Sequence, residues 1–378
     1  MKAKSFATQS STSPLSYYEF ERREPTDFDV EVEIKYSGIC HSDIHTANGD
    51  WGEVEYPCIP GHEIVGVVTR VGSKVTQFKA GDNVGVGVIV NSCNECPACK
   101  ADYEQYCENG PVYTYSSKDP IDGTDTKGGY SNLIVTPEKF VVHMPENLDL
   151  SKAAPLLCAG ITMYSPLNHW QAGPGKRVGI IGLGGLGHMG VKYAKAMGAE
   201  VWVITSSPEK AEDAKSFGAD GVIVSSNQED LLKFKRKFDL LIDTIPVEHN
   251  IDKYLELLSV NGTICLVGPI NPMPGYHGGD LINGRKAIAG SGIGSMKEVR
   301  EMLEFSAKYN ILPEVQFIKM EEVNKAWDTM KTKGISHRFV IDVENSFQNW
   351  EFTFFPIKYT PDKLKYYFMG RWIWNANR

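Results

Sequence analysis

Two different patterns of hydrophobic and polar residues meet near residue 152. Before that point, apolar residues alternate with charged ones, as in Val30–Ile34, or form short runs broken by glycine, as in Ile64–Val68 and Asp82–Val88. Alternation with a period of two predicts a strand buried on one face, and glycine breaks are typical of short strands joined by turns. The pattern predicts a β-rich domain over residues 1–152.

Beyond residue 152, buried strand-like runs alternate with longer helical patterns. This rhythm predicts a parallel sheet with helices on both faces, which is a doubly wound α/β domain over residues 153–293. The predicted strands are Arg177–Ile181, Val201–Ile204, Leu240–Ile242 and Thr263–Val267, with helices ending at Met197 and Phe217.

The end of the chain divides into two parts. A predicted helix, Lys297–Lys308, and a strand-like run, His337–Ile341, suggest that residues 294–345 return to the first domain. Residues 346–378 form an extension with eleven aromatic residues from Phe347 onward, too many for a disordered tail. We expect it to pack on the surface or on a partner subunit, or to result from translation past an original stop, and to have no catalytic role.

Composition excludes several classes of function. The chain has 378 residues and a net charge of −8, which argues against a nucleic-acid or membrane surface as the main partner. The first residues lack the apolar core of a signal peptide, and no run approaches a membrane span. Eight cysteines, four of them clustered, fit a reducing compartment. We therefore expect a cytoplasmic protein.

The clustered cysteines have the spacing C-x2-C-x2-C-x7-C. Four thiolates in one loop favour a closed, structural zinc site. A disulfide is disfavoured without secretory features, and the iron–sulfur pattern has a different last gap and a proline after its fourth cysteine. The predicted ligands are Cys93, Cys96, Cys99 and Cys107.

A glycine-rich turn follows the apolar run Val178–Ile181 and opens a helix. In this context G-x-G-x-x-G predicts a dinucleotide site, because the glycines let the backbone approach the pyrophosphate. A purely structural turn is the alternative. The turn consists of Gly182, Leu183, Gly184, Gly185, Leu186 and Gly187.

The end of the second strand distinguishes NADP from NAD. NAD sites usually place an acid there for the ribose 2′-hydroxyl, and this chain has none at that position. Hydroxyls and a lysine suit a 2′-phosphate instead, although Glu209 is close by and could point to solvent. The predicted NADP contacts are Thr205, Ser206, Ser207 and Lys210.

A second metal site is suggested by three residues far apart in the chain. Cys40, His62 and Cys158 would give zinc a Cys₂His set with a fourth position open. Spacing alone does not establish the set, because a lone cysteine or histidine is often an ordinary core residue.

Several segments together resemble a known family. GICHSDIH, YPCIPGHEIVG, the four-cysteine loop, APLLCAGITMYSPL and GLGGLGHMGVKYAKAMGA are similar to the zinc-dependent medium-chain alcohol dehydrogenases. They are most similar to the cinnamyl-alcohol-dehydrogenase branch of NADP-dependent aldehyde reductases, over about residues 2 to 345. The resemblance implies a GroES-like catalytic domain, a Rossmann domain, two zinc ions per chain, NADP(H) and a homodimer.

The resemblance also implies roles for individual residues. Cys40, His62 and Cys158 would ligate catalytic zinc, with Glu63 as the nearby acid that can enter the shell. Asp43 would orient a ligand, or else be a solvated turn acid.

A proton path and further cofactor contacts follow from the same likeness. Ser42 would contact the substrate oxygen and the cofactor, and His45 would pass the proton toward solvent. In an extended segment His41 would point elsewhere, toward cofactor phosphate or solvent. The remaining implied cofactor contacts are Thr162, Thr244, Gly268, Ser291, Gly292 and Ile293.

The implied reaction is hydride transfer between NADPH and the carbonyl of aryl or aliphatic aldehydes. A polyol dehydrogenase of the same superfamily would be expected to have an acid in place of Cys158 and another at the second strand end, and both are absent. A zinc-free quinone reductase would lack the ligands. A non-enzymatic NADP-binding protein would have no need of the metal ligands.

Overall fold

The structure, a computed structural model, describes residues 1–268, 272–332, 335 and 337–347. The aromatic extension after Phe347 therefore lies outside the described residues. Phe347 itself is buried, with its ring centroid 6.5 Å from those of Phe6 and Tyr17. Within the described part, no helix is long and apolar enough to cross a membrane.

The N-terminal part is built of short strands, as the broken apolar runs predict. In β3 the apolar side chains of Val30, Val32 and Ile34 are buried, while Glu33 between them is exposed. The elements are β1 (Lys2–Ala7), β2 (Ser16–Glu21), β3 (Asp29–Gly38), α1 (His41–Asn48), β4 (Ile64–Val71), β5 (Asn83–Val86), β6 (Ile89–Asn91), α2 (Pro97–Lys100), β7 (Val112–Tyr113), β8 (Leu133–Pro137), β9 (Val141–His143) and α3 (Leu150–Ala153).

The next part is a parallel sheet flanked by helices. Its elements are α4 (Ala159–His169), β10 (Arg177–Ile181), α5 (Gly187–Ala196), β11 (Glu200–Thr205), α6 (Ala211–Ser216), β12 (Gly221–Val224), α7 (Gln228–Lys233), β13 (Phe238–Asp243), α8 (Asp252–Leu255), β14 (Leu258–Leu266), α9 (Gly278–Ile282) and β15 (Ala287–Gly290). The strand order is β12-β11-β10-β13-β14-β15. Successive connections run in opposite directions from β10, so a crevice opens at the carboxyl ends of β10 and β13, where doubly wound folds bind ligands.

Among the last described elements, two strands rejoin the β-rich sheet. They are α10 (Met296–Tyr309), β16 (Val315–Ile318), α11 (Val323–Thr332) and β17 (Arg338–Asp342). β17 pairs antiparallel with β3, giving the order β16-β17-β3-β4-β5-β9 with β8 also on β3. This pairing carries Arg338, at the start of β17, to the neighbourhood of the residues that precede β4.

Candidate active site

Four potential metal ligands from three separate segments converge in the interior. Cys40 ends the loop after β3, His62 and Glu63 lie directly before β4, and Cys158 immediately precedes α4. All four side chains are buried, and their ligand atoms lie within 4.8 Å of one another. Residues that the sequence separates by more than one hundred positions therefore form one cluster.

The chemistry of this cluster fits zinc. Cys158 Sγ lies 3.3 Å from His62 Nε2 and 4.0 Å from Cys40 Sγ. The contact with Cys158 lowers the pKa of the Cys40 thiol, despite burial, and so favours the thiolate that a metal requires. Two sulfurs and one imidazole are the donors of an open catalytic zinc site.

Asp43 supports two members of the cluster. Its carboxylate is fully buried, which excludes the alternative of a solvated turn acid. It accepts hydrogen bonds from the Cys40 N–H at 2.9 Å and the Tyr130 hydroxyl at 3.0 Å, and lies 3.0 Å from His62 Nδ1. A carboxylate on Nδ1 fixes the imidazole so that Nε2 is left for a metal.

Glu63 contacts an arginine that the sequence did not point to. The guanidinium of Arg338 forms a buried ion pair with one Glu63 oxygen, while the other oxygen, Oε2, has no hydrogen-bond partner in the described part of the chain. Burial raises the pKa of Glu63 to about 7, although Arg338 and His62 oppose the shift. The sequence feature that could have pointed to this contact is Arg338 at the start of an otherwise apolar strand, because a buried charge needs a partner of opposite charge.

Helix α1 places the predicted proton-transfer residues. The segment is not extended, the condition on which the direction of His41 depended: residues 41–48 are helical, and Asp43 accepts the Cys40 N–H at the helix start. Ser42 and His45 therefore lie one turn apart on one face. Ser42 Oγ is 3.5 Å from Cys40 Sγ, and His45 Nδ1 is 2.8 Å from Asp50 Oδ2.

His41 and Trp51 border the same region. His41 is exposed, with Nε2 3.2 Å from the Met330 carbonyl oxygen. Trp51 stacks on His45 with ring centroids 5.2 Å apart. Both side chains face the cleft described below.

The four predicted structural ligands also converge. Cys93, Cys96, Cys99 and Cys107 bring their sulfurs within 4.8 Å of one another. Backbone N–H groups of Glu95 and Cys96 lower the pKa of Cys93 to about 6, favouring a thiolate. From the same loop, the Tyr106 hydroxyl accepts the Gly292 N–H at 3.0 Å, so the loop braces the segment after β15.

A cleft of about 580 Å³ extends from Cys40 to the glycine-rich turn. At Gly182 the turn has φ +90°, a conformation that favours glycine. The predicted cofactor residues that line the cleft are Ser42, Gly182, Leu183, Gly184, Gly185, Leu186, Thr205, Ser206, Ser207, Lys210, Thr244 and Gly268.

The other predicted cofactor residues are not part of this lining. Thr162 is buried in α4, where its N–H bonds the Cys158 carbonyl at 2.9 Å, and Gly187 begins α5 beneath the turn. Ser291, Gly292 and Ile293 follow β15. Their proximity to a bound dinucleotide remains a prediction.

The described lining of the cleft carries positive charge, although one of its cations, Arg338, is paired with Glu63. It includes four lysine or arginine side chains and no carboxylate, in a chain whose net charge is −8. Glu209, the nearest acid to the second strand end, is exposed and outside the lining. The sequence did not identify His249, Lys253, Lys331 or His337 as lining residues, because they lie on loops and helix ends that only the tertiary fold brings together.

Comparison with known proteins agrees with this architecture. Residues 26–146 match the family model described as alcohol dehydrogenase GroES-like domain, and residues 185–308 match zinc-binding dehydrogenase. The chain is 48% identical over 352 residues to a "Probable mannitol dehydrogenase" of Medicago sativa, covering 92% of this chain and 97% of that protein. It is 46% identical over 341 residues to NADP-dependent alcohol dehydrogenase C of Mycobacterium bovis, covering 89% and 97%.

A solved structure is similar over the same range. It is the cinnamyl alcohol dehydrogenase of Helicobacter pylori complexed with NADP(H), with a TM-score of 0.86 and 43% identity, covering 92% of this chain and 99% of that one. The chain therefore belongs to the zinc-binding alcohol dehydrogenase family and is an oxidoreductase. The resemblance inferred from the sequence motifs and the predicted α/β fold class are confirmed.

Proposed function

We propose that the chain is an NADPH-dependent aldehyde reductase, acting in reverse as an alcohol dehydrogenase, with two zinc ions per chain. The observation that carries the proposal is the position of the Cys40–His62–Cys158 cluster at one end of a cationic cleft whose other wall is a dinucleotide turn. Cys93, Cys96, Cys99 and Cys107 hold the second, closed metal. The domain division proposed from the sequence, 1–152, 153–293 and 294–345, fits this use of the interdomain cleft.

The buried side chains have different roles at the proposed open zinc site. Cys40, His62 and Cys158 hold it, and Asp43 fixes the ring of His62. When bound, zinc would polarise the carbonyl oxygen and NADPH would supply the hydride. Glu63, whose Oε2 lacks a hydrogen-bond partner among the described residues, is the acid that can enter the coordination shell, while Arg338 compensates its charge.

Ser42 and His45 form the proposed proton path. Ser42 Oγ is close to Cys40 Sγ, where the substrate oxygen would lie, and can donate to that oxygen as negative charge develops. His45 lies one helical turn further and contacts Asp50, which is exposed. Protons therefore have a short path from the reacting centre to solvent.

The charge of the cleft favours NADP over NAD. NADP carries a diphosphate and a 2′-phosphate, and the lining supplies cations without a carboxylate to repel them. Lys210 Nζ bonds the Leu183 carbonyl at 2.9 Å, so the lysine connects the second strand end to the glycine-rich turn. Thr205, Ser206 and Ser207 supply small donors beside it.

Ser206→Asp tests the cofactor assignment. We expect the Kd for NADPH to rise by about 10-fold or more, because the new carboxylate would repel the 2′-phosphate, while the Kd for NADH is unchanged or lower. Both constants are measured by nicotinamide fluorescence titration. Ser216→Asp, an exposed position on α6 outside the cleft, adds the same charge and is the control. Equal loss of both cofactors, or no loss, contradicts the assignment.

The substrate is proposed by class. Trp51, which lines the cleft, offers an aromatic surface for aryl or apolar aldehydes, whereas Tyr115 is buried against His62 with ring centroids 5.8 Å apart and is not part of the lining. A polyol is the second candidate, favoured by the relative named for mannitol rather than by the residues. Initial rates with an aryl aldehyde, an aliphatic aldehyde and a polyol distinguish the two. We further propose a cytoplasmic homodimer.

A further inference from the structure

Three described residues at or just before the start of β17, Ile335, His337 and Arg338, lie beside the glycine-rich turn. A methyl group on Gly185 would come within 2.8 Å of Arg338 Cδ and 2.9 Å of its Nη1, and one on Gly184 would lie 3.7 Å from the Ile335 carbonyl oxygen. Ile335, His337 and Arg338 all line the cleft. Residues from the C-terminal return therefore cover the part of the cleft where the backbone of the turn would meet a diphosphate.

His337 has an unused polar atom in this position. Its Nε2 is buried and has no hydrogen-bond partner among the residues that the structure describes. The ring is held edge-to-face against Phe339, with centroids 5.1 Å apart. An unpaired nitrogen in a confined, polar cleft carries a cost unless a ligand supplies the missing partner.

The two cations nearest the glycine-rich turn, Arg338 and Lys210, already have partners. Arg338 shares its charge with Glu63 in a buried pair, and Lys210 donates to the Leu183 carbonyl. A side-chain donor without a partner beside the turn would add to the hydrogen bonds that the backbone of the turn gives a diphosphate. Burial lowers the pKa of His337, so the free ring is neutral near pH 7, and a neutral imidazole still carries one N–H to donate.

We infer that His337 is an additional cofactor-binding residue, which donates a hydrogen bond from its ring to the diphosphate of the bound dinucleotide. The inference rests on the proposed NADP-dependent function and extends it to a residue outside the dinucleotide motif. Because the diphosphate is common to NADPH and NADH, His337 contributes to binding of both and not to the choice between them.

The experiment compares binding of NADPH and NADH to the full-length zinc-loaded protein. We expect His337→Phe, which keeps an aromatic ring but has no donor, to raise both Kd values by the same factor of about 10, the effect of losing a hydrogen bond to a charged group. His337→Gln, which retains an N–H donor, should stay within about 3-fold of the wild-type value. His143→Phe, an exposed histidine outside the cleft, is the matched control.

Several outcomes would overturn the inference. Unchanged Kd values in His337→Phe would do so, and so would a loss confined to NADPH, which would place the ring at the 2′-phosphate. Zinc content and thermal melting identify a variant with a damaged metal site or fold, in which case His337→Leu replaces His337→Phe under the same criteria. If the wild-type protein binds neither dinucleotide, the proposed function itself fails, which is a different result.

Discussion

Cys40→Ser is expected to lower kcat/KM for aldehyde reduction by about 10³-fold or more, the scale of losing several kcal/mol of electrostatic stabilisation. The reason is that Cys40 is one of the two cysteines in the proposed catalytic zinc site, with its Sγ 4.0 Å from that of Cys158. A hydroxyl is a poorer ligand than a thiolate for zinc at this position. Bound zinc should fall from two ions to one per chain, measured by elemental analysis beside initial rates.

The control for this substitution is another buried cysteine. Cys265 lies in β14 and belongs to neither metal cluster, so Cys265→Ala should keep both zinc ions and most of the activity. Full turnover in Cys40→Ser would show that the cluster does not hold the reactive metal. Loss of turnover with both ions retained would place Cys40 in another role.

Cys107→Ser is expected to destabilise the fold without entering the chemistry. Apparent binding of structural zinc by peptides is worth about 10–16 kcal/mol, and part of this energy would hold the loop against the β-rich domain. We expect the free energy of unfolding to fall by at least about 3 kcal/mol and one zinc ion per chain to be lost. Thermal melting and elemental analysis measure the two effects.

The hydrogen bond between Tyr106 and Gly292 allows the same prediction to be tested locally, at the segment after β15. Because the Tyr106 hydroxyl accepts the Gly292 N–H, release of the loop should increase hydrogen exchange at the segment after β15. Cys265→Ala again serves as the reference. Unchanged melting and exchange in Cys107→Ser would argue that the four cysteines do not hold a structural metal.

Local features of the sequence predicted much of the fold and one metal site. Strand β3 followed from strict alternation, and the glycine-rich turn followed from a buried strand that runs into a helix. The four cysteines lie within fifteen residues, so their convergence needs only one loop. In each case the pattern and the structure involve the same short segment.

Features that depend on distant segments were harder to predict. The meeting of Cys40, His62 and Cys158 depends on how α4 packs beside the β-rich sheet, and family resemblance rather than spacing suggested it. Arg338 reaches Glu63 because β17 pairs with β3, a pairing that no local pattern encodes. Helix α1 was missed because a cysteine, rather than serine or threonine, precedes it.

The most direct test of the account is the initial rate of aldehyde reduction by the zinc-loaded wild-type protein, with NADPH and NADH assayed in parallel. An aryl aldehyde such as cinnamaldehyde is the first substrate, with oxidation of the dinucleotide as the readout. We expect aldehyde-dependent NADPH oxidation with kcat/KM at least about 10-fold above that with NADH. No aldehyde-dependent oxidation, or equal rates with the two cofactors, would contradict it.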